Sequence, residues 1–485
     1  MADDDVDHEL LALLRQKFGL GGSNPNAPPE TRVLENAQFI YDNSIDVALG
    51  MAHTKLAAIA VLDEMQKREY STKTWAEHEL HPKPKDEATI NFIFTMDLLN
   101  FSFWSEKSEE QRFAVNYKGK NWTGYWSLVA SLQRALDEGI PITTPEFWID
   151  EGGAEEKSDI VPAASDDVPP PWADPEAPRL PDGDFDTGIY PDPVPAQPPT
   201  EDQTAVEQIH DHQAPDQASD AENRIALNES NTDNVISGDT QETKLPGSFP
   251  SEQVVPAEPD NKPKDAVPAP KQRCTESLLR HVFRSATDEE IPMFSERVQC
   301  LREAGRVLHE HFDGSVVTLI EDAKGSAAGL VNILAERFSC FRDEGVFEKK
   351  KVRFLKRAQI FVADLWAAFE GEGLGKFDDI DKITMFADYR VPQILNSLGL
   401  ISYCPPLEAC IRRGEMITPG HPWESQIRGC SIWAVELLRR EILKLQPDAK
   451  VNAILLDFFL YDLAKEKEKA GEEALPHHRT RSIWY

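Results

Sequence analysis

The sequence predicts a mainly α-helical protein with one small β-hairpin, interrupted by a long disordered insertion. Three observations carry that expectation. Apolar residues recur at three- and four-residue steps from about Val33 to Ile149 and again from about Thr275 to Tyr485, the period of helices with one buried face. Lys118-Gly119-Lys120 separates two short runs containing Phe113, Tyr117, Trp122 and Tyr125, the pattern of a tight hairpin. Residues 151–270 hold 20 of the 35 prolines and 27 acidic against 6 basic residues, with few large apolar side chains. Such a segment cannot bury enough surface to offset its chain entropy.

Taken in order, residues 1–30 are polar and rich in Pro, Asn and Gly, and read as a mobile tail. From Val33 a helical pattern runs through Phe39-Ile40 and Val47-Ala48 and on from Leu56 to Met65. Ala88 to Leu99 is an apolar helix ending at the ring-rich string Phe101-Ser102-Phe103-Trp104, and the hairpin follows. Trp126 to Glu138 is helical and stops at Gly139-Ile140-Pro141, a helix end followed by Pro. Beyond the insertion, helical periodicity marks Leu278 to Phe283, Pro292 to His311, Val316 to Ala323, Ala327 to Phe338 and Lys356 to Glu370. A Gly-rich break at Glu370 to Phe377 precedes a short helix at Ile380 to Ile383. Val391 to Leu398, Leu407 to Arg412, Ser431 to Lys444 and Val451 to Lys467 complete the set. Closure entropy grows only logarithmically with loop length, so 31–150 and 273–485 are expected to form one body from which 151–272 is extruded.

Net charge is −33, of which the insertion carries −21. An acidic balance without a basic stripe argues against non-specific nucleic-acid binding, yet leaves room for a small phosphorylated ligand at a local basic spot. The six cysteines are scattered without CxxC spacing, which predicts reduced thiols in a cytosolic or nuclear protein rather than a zinc site. No run approaches the roughly 18 apolar residues of a membrane helix, and the acidic start predicts no secretory signal. Metal-binding motifs and a phosphate-binding Gly-rich loop are missing, so neither metal nor redox cofactor is expected. Oligomeric state has no signature here.

The richest stretch is TMFADYRVPQIL, Thr384 to Leu395, read with IRGCSIWAVELL some thirty-five residues later. Asp388 stands between an apolar run and a helix start, where helix-start amides can hold a carboxylate at a pocket floor. Trp433 and Glu436 share one helical face, with Arg428 just before that helix. An acid, a ring and a guanidinium suggest a pocket for a polar planar ligand. A capping Asp beside a buried Arg–Glu pair fits the same spacing.

MFADYR and IRGCSIW, with LLNFSFWSE (Leu98 to Glu106), GYWSL (Gly124 to Leu128) and RALDEGIPIT (Arg134 to Thr143), resemble the queuosine salvage family. Its members are N-glycosidases that release the base queuine from queuosine 5′-phosphate. The resemblance covers roughly three quarters of the chain; the insertion departs from it. It implies a DNA-glycosylase-like, helix-hairpin-helix fold, with the Gly-rich turn leading to a catalytic Asp388. Tyr389 and Arg390 would accompany Asp388 at the substrate. A carboxylate beside the sugar carbon stabilises an oxocarbenium ion, and can activate water or attack directly.

Queuine is a 7-deazaguanine and lacks the N7 that purine glycosidases protonate, so the departing base must be stabilised through its Watson–Crick edge. Carboxylates accept from such N–H pairs; Asp97, Glu436 and Asp457 are the candidates. Asn100, Phe101, Trp104 and Trp126 are assigned to the base by stacking and polar contact, with Phe103 in the core. For the 5′-phosphate the candidates are Lys356 and Arg357 in FLKRAQI, with His478 and Arg479 in a C-terminal tail whose aromatic and basic residues suggest docking on the body. Surface charge and a packing tail are the plain readings of the same residues. A non-catalytic nucleotide-binding module of the same fold is the rival function, and a DNA glycosylase proper is disfavoured by the acidic balance.

Overall fold

The computed structural model describes residues 28–149, 273–472 and 474–485. The expectations for the insertion and for most of the N-terminal tail lie outside the described residues.

The first part comprises α1 (Val33–Asp42), β1 (Val47–Leu49), α2 (Met51–Lys67), α3 (Lys73–Glu77), α4 (Glu87–Leu98), β2 (Ala114–Tyr117), β3 (Lys120–Thr123), α5 (Tyr125–Asp137) and α6 (Pro145–Trp148). Asp86 caps α4 by accepting from the Thr89 amide. Ile90, Phe92, Ile93, Phe94, Met96 and Leu98 are all buried, so α4 is enclosed on every side, as a helix apolar all round must be. The β2–β3 turn places Lys118 and Gly119 at φ 50° and 77°, the left-handed pair of a two-residue hairpin.

The second part comprises α7 (Glu276–Val282), α8 (Phe294–His311), α9 (Val316–Asp322), α10 (Ala327–Arg337), β4 (Glu344–Phe347), β5 (Lys350–Arg353), α11 (Lys356–Ala368), α12 (Arg390–Ser397), β6 (Ile401–Tyr403), α13 (Pro405–Arg412), α14 (Pro422–Leu445) and α15 (Ala453–Ala470). The described residues of both parts fall in one compact unit. Helices α4 and α11 pack together, and α14 lies across α1 and α2. Gly429 makes that crossing close: a Cβ there would sit 2.6 Å from Ile40.

The architecture is mainly helical, but the described residues hold three two-stranded antiparallel sheets rather than one. Val47-Ala48, expected in a helix, form β1 and pair with β6, Val47 opposite Tyr403. The Lys350-Lys351 run lies on β5 of a second hairpin, whose turn residues Glu348 and Lys349 have positive φ. Both departures come from partners distant in sequence or from turn conformations that periodicity does not report. Helix α14 begins at Pro422, nine residues ahead of the expected start, because His421 caps it and Pro422 suits its first turn. Arg428 therefore lies inside the helix. Beyond α11, Gly375 fits where a Cβ would meet the Leu365 carbonyl oxygen at 2.5 Å, and only a 3₁₀ turn, Ile380–Lys382, follows. None of the described helices is long and apolar enough to cross a membrane.

Candidate active site

Residues 383–387 run without regular structure, buried in the body, and deliver Asp388 to the start of α12. Three side chains hold this strap. The Thr384 amide donates to Gln359 Oε1 at 2.9 Å, the Phe386 amide to Asp457 Oδ2 at 2.9 Å, and Arg428 Nε to the Ala387 carbonyl at 3.1 Å. Asp388 Oδ1 then accepts the Arg390 and Val391 amides at 2.8 and 3.0 Å, so the carboxylate both caps α12 and sits at its positive end. Oδ2 takes no hydrogen bond from the described residues.

Asp388 lines a cavity of about 520 Å³, a size typical of small-molecule sites. One wall is α11, which presents Lys356, Ile360 and Asp364 at four-residue steps. At 1.5 Å per residue they span about 12 Å, from cation to acid. Asp457, Phe458, Tyr461 and Lys465 come from α15, and Tyr485 closes another side. The facing wall is aromatic. The His78 ring stacks on Trp126 with centroids 3.3 Å apart, and His81 stacks on Trp75 at 4.0 Å. His81 Nδ1 lies 2.8 Å from the Trp75 carbonyl, which only accepts, so Nδ1 carries the proton and Nε2 accepts from the Tyr125 hydroxyl at 2.8 Å. Burial lowers the pKa of His81 to about 3, which keeps the ring neutral.

The acids of the cavity differ in environment. Burial, then the nearby Asp388 carboxylate, push the pKa of the Asp457 carboxyl well above its ordinary value. Burial lifts Asp364 to about 7. Lys356 is lowered by burial, with Asp388 opposing the shift. A buried salt bridge organises this end: Asp343 receives Arg428 Nη1 and Nη2 at 2.9 and 2.5 Å, and its Oδ2 also accepts the Lys356 amide at 3.0 Å. Because Arg428 also holds Ala387, one ion pair joins the segments that carry Lys356 and Asp388.

A family model described as queuosine salvage protein matches residues 80–171 and 260–485. A Schizosaccharomyces pombe protein named queuosine 5′-phosphate N-glycosylase/hydrolase is 33% identical over 94% of this chain and 100% of its own length. Proteins of the same name from Bos taurus and Sphaerobacter thermophilus are 31% and 30% identical, over 93% and 94% of this chain and 98% and 95% of theirs. The chain belongs to the queuosine salvage family.

In this queuosine salvage protein the cavity gathers Asp388, Tyr389, Arg390, Asn100, Trp126, Asp457 and Lys356 from the residues expected at the site. Others lie outside its lining. Glu436 accepts from Arg439 and Arg440, and with Trp433, which packs on Tyr41, it faces a separate cavity of about 460 Å³. Arg428 is spent on Asp343 and the Ala387 carbonyl. Arg357 donates to the Leu98 and Cys340 carbonyls and is fully enclosed. Asp97 is completely buried behind the wall. Arg479 donates to the Gly414 carbonyl at 3.1 Å, and the Trp104 indole donates to the Thr480 carbonyl. Burial holds His478 at a pKa of about 3, so it offers no cation at neutral pH.

Phe101 and Phe103 exchange their expected places. Phe101 is buried beneath the Arg297 and Arg357 guanidinium groups, 4.3 and 4.9 Å from its ring centroid, while Phe103 lines the cavity. Ser102, at φ 50°, breaks the alternation of an extended chain; its hydroxyl donates to the Ser482 carbonyl and its amide to that of Tyr485. Phe101→Ala is therefore expected to cost about 3–5 kcal/mol of stability, read by denaturant unfolding, with KM nearly unchanged in the folded fraction. A large KM effect at normal stability would return Phe101 to the pocket.

Sequence reasoning missed Asp364, Lys465, Tyr461, Tyr485 and the Trp75–His81 wall. Asp364 had a signal, an acid eight residues after Lys356 in an apolar helix. The wall had none, because only tertiary packing brings it to the cavity that Asp388 lines.

Proposed function

We propose that this protein hydrolyses the N-glycosidic bond of queuosine 5′-phosphate, releasing queuine for salvage into tRNA modification. One observation carries the reading beyond family membership: a carboxylate fixed by two helix-start amides opens into a cavity with stacked rings on one side and cations on another. As the C1′–N bond breaks, its electron pair leaves with the base and the sugar carbon becomes positive beside Asp388. A preorganised carboxylate there stabilises charge that exists only in the transition state. Water completes the reaction by adding its oxygen to C1′; one of its protons stays on the new C1′ hydroxyl and the other ends on the leaving nitrogen. Asp457, whose pKa burial raises, lines the same cavity and is assigned to the sugar side.

Lys356, Arg390 and Lys465 are the lysine and arginine side chains in the cavity lining, and they supply the counter-charge for the 5′-phosphate. Of the phosphate candidates from sequence, Lys356 is retained on this ground. The helix α11, the glycine turn at Gly373–Gly375 and the strap into Asp388 support a helix-hairpin-helix glycosylase-like arrangement. Turnover of queuosine 5′-phosphate to free queuine by the pure protein is the direct test; a folded protein that binds the nucleotide without cleaving it would establish the binding-module alternative.

The aromatic wall gives a second test. With Trp126 backed by His78 at 3.3 Å, the pair forms a ready platform for a planar base. Trp126→Ala is expected to raise KM by tenfold to a hundredfold, from a stacking contribution of about 1–3 kcal/mol. An unchanged KM in a normally folded variant would place the base elsewhere in the cavity.

A further inference from the structure

Two carboxyl groups at the far end of the cavity have no part in the chemistry at Asp388. Asp364 lines the cavity two helical turns beyond Lys356. Behind it Asp97 is fully buried, and neither of its carboxyl oxygens has a hydrogen-bond partner. An orphaned buried carboxyl costs free energy unless it is neutral, and two adjacent carboxyls cannot both ionise cheaply. The groups around Asp364 define its options. Asp97 and the Asn100 amide come from α4 and its C-terminal end, and Trp75 from α3. The Tyr125 hydroxyl faces it from α5, Asp457 from α15, and Lys356 and Arg357 from its own helix; the His78 and His81 rings line the same end. The Trp75 indole is the neighbouring donor to the Asp364 carboxyl, and no Lys or Arg side chain among the described residues is hydrogen-bonded to it, so acceptor positions remain for a ligand.

We propose that Asp364 is the specificity-determining residue for the base, its carboxylate accepting the ring N–H and exocyclic amino group of a guanine-type edge, with the Asp97 carboxyl buried behind it. The inference rests on the proposed function, because it takes the occupant to be a 7-deazaguanine. Geometry favours this end. Lys356 and Asp388 occupy the sugar and phosphate end, and about 12 Å along α11 is the reach of a nucleotide from phosphate to the distal edge of its base. A carboxylate meets two parallel N–H donors with two oxygens, and charge-assisted bonds of this kind are roughly twice as strong as neutral ones. Asp97 acts through Asp364 and is a positioning residue: it lies fully buried behind Asp364, and burial, then the Asp364 carboxyl, raise its pKa.

The test uses the full chain with two free bases, 7-deazaguanine and 7-deazahypoxanthine, which lacks the amino group, measured by calorimetry at pH 6 and pH 8. Wild-type protein should prefer 7-deazaguanine by about tenfold to a hundredfold. Burial lifts Asp364 to about 7, so its accepting form is mostly lost below that pH. Affinity for 7-deazaguanine should accordingly be about tenfold weaker at pH 6 than at pH 8. In Asp364→Asn, a near-isosteric change checked by its melting temperature, both the preference and the pH dependence should disappear. A wild-type protein that binds both bases equally overturns the proposal without needing any variant. A folded Asp364→Asn that keeps the preference overturns it too. Hydrolysis of queuosine 5′-phosphate by the same wild-type preparation separates the two readings: no hydrolysis removes the proposed function, whereas hydrolysis with an intact preference in Asp364→Asn removes only this inference.

Discussion

Asp388→Asn should lower turnover on the order of a hundredfold or more, the scale for losing a general base or a preorganised electrostatic group. The amide oxygen can still accept the Arg390 and Val391 amides that Asp388 Oδ1 now takes at 2.8 and 3.0 Å. Stability should therefore fall by at most about 1 kcal/mol, since Asn caps a helix nearly as well as Asp. Binding of free queuine should change far less than turnover, because the proposed base contacts are made by residues other than Asp388. If Asp388 were only a cap, the same variant would show near-normal turnover. Single-turnover hydrolysis and a thermal melt on one preparation separate these outcomes.

Arg428→Leu should produce the largest stability loss, about 3–5 kcal/mol, because removing one partner of a buried ion pair leaves the other charged and unpaired. Asp343 would be that remaining charge, with 2% of its surface exposed. The variant also frees the Ala387 carbonyl and loosens the strap behind Asp388, so residual folded protein should show reduced kcat more than raised KM. Asp343→Asn should be milder, since the amide keeps one acceptor for the Lys356 amide. A stable Arg428→Leu protein with a selectively raised KM would instead give Arg428 a direct substrate contact.

The C-terminal tail shows how far spacing can be read and where it stops. Aromatic and basic residues at a chain end pointed to docking, and the tail is docked: Tyr485 is buried, its carbonyl accepts from the Ser102 amide, and Ile417 donates to the Arg479 carbonyl at 2.8 Å. The expectation that its His478 and Arg479 supply phosphate cations had no such footing. Burial neutralises the one and a carbonyl engages the other, and neither event leaves a trace in residue order.

The sequence by itself determined the helical class, because a 3.6-residue period is local, and it marked the Asp388 motif, because an acid between an apolar run and a helix start is also local. Composition alone sets residues 151–270 apart as an acidic, proline-rich segment. Only the tertiary structure decided which charges are free. Arg428, Arg357 and Glu436 carry the residue types of a binding site, but each has its hydrogen-bonding capacity taken by a protein partner, two of them distant in sequence: Asp343 for Arg428, and the Leu98 carbonyl for Arg357. Asp364 and the His78–Trp126 pair became visible as site residues only once packing set α11 and the aromatic wall around one cavity. The physical reason is that a side chain's chemistry depends on what has already satisfied it, and those partners arrive through folding rather than through neighbourhood in the chain.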